Sequence, residues 1–430
     1  VIGRWTERLA GAYIACMTFW NRPLPLLTLA LVLFTWSPAG AFETPAMFRA
    51  SEILPQPLLA GPYHRVREYA EADGYLIHFT VDSDFGTYAC VGVSELRRHI
   101  EEIEAIAELV KVSKSDLFAE GLRKSVESPI AAVKNIASDP RGAIKQVPHS
   151  VGHFFGKVGS GIGNVARKAG EKKSGESPDP EKVGRGLGNA IKNVAGFEKA
   201  KLECAKQLGI DPYSDNARLQ EEMEKVAWAF FAGGLPLKFG VSVAGGATSK
   251  ILNATEFVGL PDDLYQLNSS ELDFRDRSTL KSMGVSPEKT DALFANPAMI
   301  RSVRHQLVDA LAAMTAPGRL EVLEQIIACD TVWRARFFNE TLQLLHSRHR
   351  AAPYKSLGVQ GRLAVGVAAD GAIEIPAPVD YVVWTEEVAA FATREDIASY
   401  HRRLILQGNL SAETQSQLAT AGWEIVRVTR

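Results

Sequence analysis

The sequence predicts an α+β protein, predominantly helical, in which a small antiparallel sheet formed from strands near both ends of the mature chain packs with helices. Two observations carry this. Apolar and polar residues alternate, the period of a half-buried strand, only between Tyr75 and Val93 and again beyond Arg362. Between those stretches apolar residues recur every three or four positions, the period of a helix that buries one face. One sheet joining both ends, backed by helices, is the economical way to cover all these faces.

The first element is one the folded protein is not expected to keep. Leu24–Trp36 is apolar and uncharged, follows Arg22, and runs into Pro38-Ala39-Gly40-Ala41, the small-residue form that a signal peptidase cuts. Its 13 residues fall short of the about 20 that a membrane-spanning helix needs. Residues 1–41 are therefore read as an upstream extension plus signal peptide, with translation starting at Met17 and cleavage after Ala41. Cys16 precedes the apolar core, which is not the position of a lipoprotein cysteine. Export, to a periplasm or to the outside, is the expected address.

The elements then follow in order. Residues 42–72 contain prolines and look irregular. Tyr75, Ile77, Phe79 and Val81 alternate with Leu76, His78 and Thr80. Tyr88 to Val93 resume after Ser83-Asp-Phe-Gly86, which reads as a hairpin turn. Leu96, Ile100, Ile103, Ile106 and Val110 then mark a helix, whose Glu101, Glu102 and Glu104 read as a solvated face. Leu219, Met223, Val226 and Phe230 form another apolar stripe. Residues 253–297 look rich in loops, Ile300 to Met314 predicts a helix, and Leu320 to Leu345 predicts a single long one. Strands return at Arg362–Val367, Ala372–Ile375 and Asp380–Trp384. A helix is expected from Glu386 to Leu406, then a short one capped by Ser411, then a last strand from Trp423 to Val428. The resulting division is 42–122 as an N-terminal hairpin and helix, 123–201 as a basic insertion or linker, 202–352 as a helical region, and 353–430 as strands and helices that complete the core.

Charge singles out one region. The mature chain is nearly neutral, with 45 basic and 49 acidic residues, which excludes a general attraction to nucleic acid. Residues 123–201 hold 15 Lys/Arg against seven Asp/Glu. Within them Val147, Val151, Phe154 with Phe155, Val158, Ile162 and Val165 share one helical face. Lys157-Val-Gly-Ser-Gly-Ile-Gly-Asn164 returns 25 residues later as Lys182-Val-Gly-Arg-Gly-Leu-Gly-Asn189. A cationic amphipathic segment suits an anionic membrane, where apolar burial and Coulomb attraction add. The expected contacts are Lys157, Arg167, Lys168, Lys172, Lys173, Lys182, Arg185 and Lys192 for the anionic surface, with Phe154, Phe155, Val158 and Ile162 facing the lipid. Its glycines, at about 1 kcal/mol each against Ala, disfavour a helix that stands alone, and the composition is also that of a linker. A second run, from Val226 to Ser249, is apolar and glycine-rich around Pro236. It reads as a core hairpin or as a membrane-perturbing one.

Catalytic signatures are mostly eliminated. Asp84-Phe-Gly86 lies in a hairpin turn with no kinase partner motifs. The glycines at 159, 161 and 163 lack both a preceding strand and a Walker lysine. His149 with His153, and His346 with His349, lack the intervening Glu of a zinc-protease helix. Gly240-Val-Ser242 lacks the strand and helix that flank a nucleophile elbow. Cys90, Cys204 and Cys329 are far apart and odd in number, so they read as small buried residues. No metal or cofactor is expected, and the sequence names no catalytic residue.

Asp73-Gly-Tyr-Leu-Ile-His-Phe79 with Ser83-Asp-Phe-Gly-Thr-Tyr88, the helix Ile100-Glu-Glu-Ile-Glu-Ala-Ile-Ala-Glu-Leu109, and Asp380-Tyr-Val-Val-Trp-Thr-Glu386 together resemble uncharacterised exported bacterial proteins. The resemblance implies export and transfers no site residue. The expectation is an envelope-associated binding protein that contacts anionic lipid or another anionic surface. An exported hydrolase with dispersed site residues and a pore-forming helical protein are the alternatives.

Overall fold

In the N-terminal sheet the alternating sequence sets the register. The structure, a computed structural model, describes residues 42–127, 195–236 and 260–428, all within one compact unit, Phe42–Arg430. Strands β1 (Met47–Arg49), β2 (His64–Val66), β3 (Tyr69–Ala72), β4 (Ile77–Ser83) and β5 (Gly86–Val91) form an antiparallel sheet in which β4 pairs with β2, β3 and β5. Ile77, Phe79 and Val81 point inward, and the hairpin closes at Asp84-Phe85 with Ser83 opposite Gly86. Residues 42–72 are thus not irregular. They supply three strands too short for their period to register, separated by Pro55 and Pro62.

Helix α1 (Val93–Ser113) packs Leu96, Ile100 and Ile103 on this sheet. Its far end turns Ile106 and Leu109 into a second cluster. That cluster is shared with α2 (Asp116–Glu127), α3 (residues 195–208) and α4 (Ala217–Gly233). The stripe Leu219, Met223, Val226 and Phe230 is wholly buried there. Asn216 caps α4 by accepting from the amides of Arg218 and Leu219.

A third layer follows. It comprises α5 (Ser269–Ser282), closed by an Asn268–Glu271 capping box, then α6 (Pro287–Ala295), α7 (Arg301–Ala313), α8 (Arg319–Ile327) and α9 (Val332–Ala351). Their core holds Leu280, Leu293, Leu307, Leu311, Val322, Ile326 and Leu342. The expected long helix from Leu320 to Leu345 is two helices. The chain breaks at Ala328–Thr331, where the Thr331 side chain restarts it by capping Arg334 N. The region expected to be loop-rich contains α5 and α6, whose polar faces hide the helical period (buried positions in α5 are only Leu272, Asp276 and Leu280).

The C-terminal sheet orders β12-β10-β8-β7-β6, from β6 (Ser356–Gln360), β7 (Leu363–Val367), β8 (Ile373–Ala377), β10 (Arg402–Leu406) and β12 (Trp423–Arg427). The two-residue strands β9 (Tyr381–Val382) and β11 (Asn409–Leu410) pair beside it. α10 (Glu386–Ala392) and α11 (Ala412–Thr420) make the crossovers. Here the class is as expected and the detail is not. The protein is α+β and mainly helical, with strands near both ends, but they form separate sheets. Half of the second sheet is parallel, β8 with β10 and β10 with β12. The expected helix to Leu406 stops at Ala392, and Arg402–Leu406 is an inner strand. A parallel strand covered on both faces has no alternation to read.

The two ends meet along a hydrogen-bonded seam. Tyr75 O accepts from the amides of Asp380 and Tyr381 at 2.9 and 3.1 Å, and Gly74 O from Val383 at 3.2 Å. Glu43 N donates to Trp384 O at 2.8 Å, and the Glu43 carboxylate accepts from Trp384 N and Ser411 Oγ at 2.6 and 2.5 Å. Asp380 accepts from Ile77 N and from Val93 N, both at 3.1 Å, and so caps α1 from the opposite end of the chain.

Candidate functional site

The residues singled out by charge, Lys157, Arg167, Lys168, Lys172, Lys173, Lys182, Arg185 and Lys192, lie outside the described residues. So do Phe154, Phe155, Val158, Ile162 and Ala41, and also His149, His153 and Ser242.

Close packing gathers α2 and α3 around the last turns of α4. Gly121 of α2 lies so close to this helix that a Cβ there would stand 2.8 Å from Ala229 O. A Cβ on Gly233 would stand 2.6 Å from Gly121 Cα. Only a glycine pair lets these two backbones cross at that separation. On α3, Gly196 abuts the Phe231 ring, and Phe197 stacks edge-on with Trp228 at 5.9 Å. Residues 123–127 and 195–201 are helical, so the folded layer extends into both ends of the 123–201 range. The first arm of the apolar run is core: Trp228 and Phe230 are each 2% exposed, and α4 ends at Gly233 with Gly234 left-handed. Its second arm, from residue 237, lies outside the described residues. Among the described residues no helix is long and apolar enough to cross a membrane.

Two polar clusters lie within the body. In the first, Glu102 on α1 is 2% exposed, a correction to its expected place on a solvated face. It accepts from Ser214 Oγ at 2.5 Å, Asn216 Nδ2 at 3.0 Å and Arg98 Nη1 at 3.1 Å, and pairs with His99 Nδ1 at 3.0 Å. Burial alone would raise its pKa. The His99 hydrogen bond and the Arg98 charge outweigh it and hold Glu102 down at about 2. Its neighbour Glu101, without such partners in force, is pushed up by burial to about 7 against the opposing charge of Arg97. Arg336 of α9 joins the same cluster through Asp215 at 2.5 Å. With every ligand of Glu102 coming from the protein, the arrangement is a junction between α1, the turn before α4, and α9.

The second cluster lies between α5 and α7. His305 is fully buried, and its Nδ1 pairs with Asp276 Oδ1 at 2.7 Å. Asp276 is held in turn by Arg304 Nε at 3.2 Å. The other ring nitrogen, Nε2, stands 3.3 Å from Asp309 Oδ2, one turn further along α7, and has no hydrogen-bond partner. Asp263 completes the group: one donor atom from each of Asp263, His305 and Asp309 lies within 4.8 Å of the others. Burial pushes the Asp309 carboxyl up, opposed by His305 and Arg275. Arg275 contacts Asp263 and reaches to 3.8 Å from Asp309. Sequence reasoning missed this cluster because its members come from three elements. The i, i+4 spacing of His305 and Asp309 was the available signal.

The histidine pair on α9 is structural. His349 Nδ1 accepts from Tyr354 N at 3.1 Å, and burial lowers the pKa of His346. The three cysteines are buried free thiols. Burial pushes Cys90 up to about 12 and Cys329 up to about 11. The groove beside Gln56, Arg65, Arg67 and Glu68 lies on the open surface, with Arg67 already paired to Asp82 at 2.8 and 2.9 Å. Comparison with known protein families, with curated proteins and with solved structures finds no match to this chain.

Proposed function

We propose that this is an exported, envelope-associated binding protein whose basic glycine-rich segment contacts an anionic membrane surface. The observation that carries it is the uneven distribution of charge along the chain. Residues 128–194 hold 11 Lys/Arg against five Asp/Glu, and residues 237–259 are apolar with two Lys and one Glu. A cationic stretch attracts anionic headgroups at about 1 kcal/mol per basic residue, and apolar side chains then add burial. The described body carries a net charge of −12. It is repelled by the same surface, which orients contact through the basic segment.

Vesicle flotation tests this. Purified protein floats with phosphatidylglycerol-containing vesicles and not with phosphatidylcholine alone, and flotation falls as salt shortens the Debye length from about 10 Å toward 3 Å. Neutralising Lys157, Arg167, Lys168, Lys182 and Arg185 together to Gln reduces the bound fraction at least tenfold. Binding that ignores both headgroup charge and these substitutions rejects the proposal. Dye release from the same vesicles distinguishes surface binding, which leaves the dye enclosed, from pore formation.

A further inference from the structure

The geometry points to a binding site for a divalent first-row metal ion of the zinc class, formed by Asp263, His305 and Asp309 between α5, α7 and the turn that precedes α5.

The argument starts from His305. Its Nδ1 faces a carboxylate oxygen of Asp276 at 2.7 Å, so this nitrogen carries the proton and donates it. In the neutral ring Nε2 then presents a lone pair. That lone pair faces Asp309 Oδ2, itself an acceptor, at 3.3 Å, in a site that is fully buried on the histidine side. Two bare acceptors do not hold each other at that distance; a second ring proton or a cation between them does, and only a cation also uses Asp263. A carboxylate that orients one ring nitrogen while the other is aimed at further carboxylates is the arrangement that metal-binding histidines use to fix tautomer and direction.

The spacing fits. A tetrahedral ion with bonds of about 2.0–2.1 Å sets its ligands about 3.4 Å apart, and His305 Nε2 and Asp309 Oδ2 are 3.3 Å apart. Asp263 lies within 4.8 Å of both and needs only a side-chain adjustment to close. One imidazole nitrogen and two carboxylate oxygens favour Zn²⁺, Mn²⁺, Fe²⁺ or Co²⁺ over Ca²⁺, which takes about six to eight oxygen ligands. Three protein donors leave a fourth position for water or a ligand. The support around the site is built: Asp276 is fixed by Arg304, and Arg304 lies over the Phe294 ring at 3.9 Å.

Arg275 is the competing cation. Its guanidinium contacts Asp263 and approaches Asp309, and its side chain is 41% exposed, so it can swing into solvent when a metal takes both carboxylates. Removing it opens the site.

The test uses the purified protein after dialysis against a chelator, titrated with Co²⁺ and followed by its visible absorption, then displaced by Zn²⁺. One equivalent binds, with a spectrum of low coordination number. Asp309→Asn and Asp263→Asn, both at partly exposed positions, weaken binding at least tenfold while urea unfolding shows them folded. Arg275→Gln binds at least as tightly as the parent. His305→Gln abolishes the spectrum; because this side chain is buried, the two Asn variants stand independently of it. Unchanged stoichiometry and affinity in both Asn variants would overturn the site, as would absence of one-equivalent binding in the parent and Arg275→Gln alike.

Discussion

Glu101 and Glu102 are neighbours in sequence with opposite fates. Glu102 meets Ser214 and Asn216, which lie 112 and 114 residues away. Its depressed pKa adds stability above the unfolded value of about 4.3 that is lost as pH falls toward its folded pKa of about 2. Glu101 has the reverse sign. Its folded pKa of about 7 lies above the unfolded value, so the unfolded chain releases that proton first as pH rises. Stability from this residue therefore falls between about pH 4.5 and about pH 7. The expected outcome for Glu101→Gln is a urea midpoint that no longer declines over that range, measured against the parent across the same buffers. Parallel profiles for the two proteins would remove Glu101 as the source. Neither fate was legible in the sequence, where a run of glutamates on a helix reads as solvated. Burial here is decided by partners too distant in the chain for any local pattern to register, and the same holds for His305, whose Asp276 is 29 residues away.

At the scale of elements, legibility followed periodicity. The hairpin Ile77–Val91 and helices α1, α4 and α7 each carry a clean two-residue or 3.6-residue repeat, and each is found where that repeat places it. Arg402–Leu406 carries none: a run of apolar residues fits a helix end as well as a buried parallel strand, and pairing on both sides by β8 and β12 decides it. The seam between the chain ends was equally invisible, because it rests on capping groups borrowed across the molecule. Asp380 satisfies the amides of Ile77 and Val93, and places its charge at the positive end of α1. Asp380→Ala leaves those donors buried without acceptors. The expected loss is about 3 kcal/mol in urea unfolding, with Asp380→Asn costing less because the amide oxygen still accepts. A loss below about 0.5 kcal/mol would mean the seam is held by its backbone bonds alone.

At the scale of the molecule, three helical and sheet layers and the seam make Phe42–Arg430 one unit, while charge divides it. The body is acidic and the segment 128–194 is basic. The sequence showed that division and the amphipathic pattern within it. It did not show how the described helices that flank it in sequence pack, because that depends on Gly121 meeting Gly233 and on Phe197 meeting Trp228. The central claim, that the basic segment and its apolar companion work on an anionic surface, is most directly tested by hydrogen exchange of the purified protein with and without vesicles. Anionic vesicles should slow exchange in residues 128–194 and 237–259 together and leave α5 to α9 unchanged, and zwitterionic vesicles should change neither segment. Exchange in both segments that is the same with and without anionic vesicles would contradict the account.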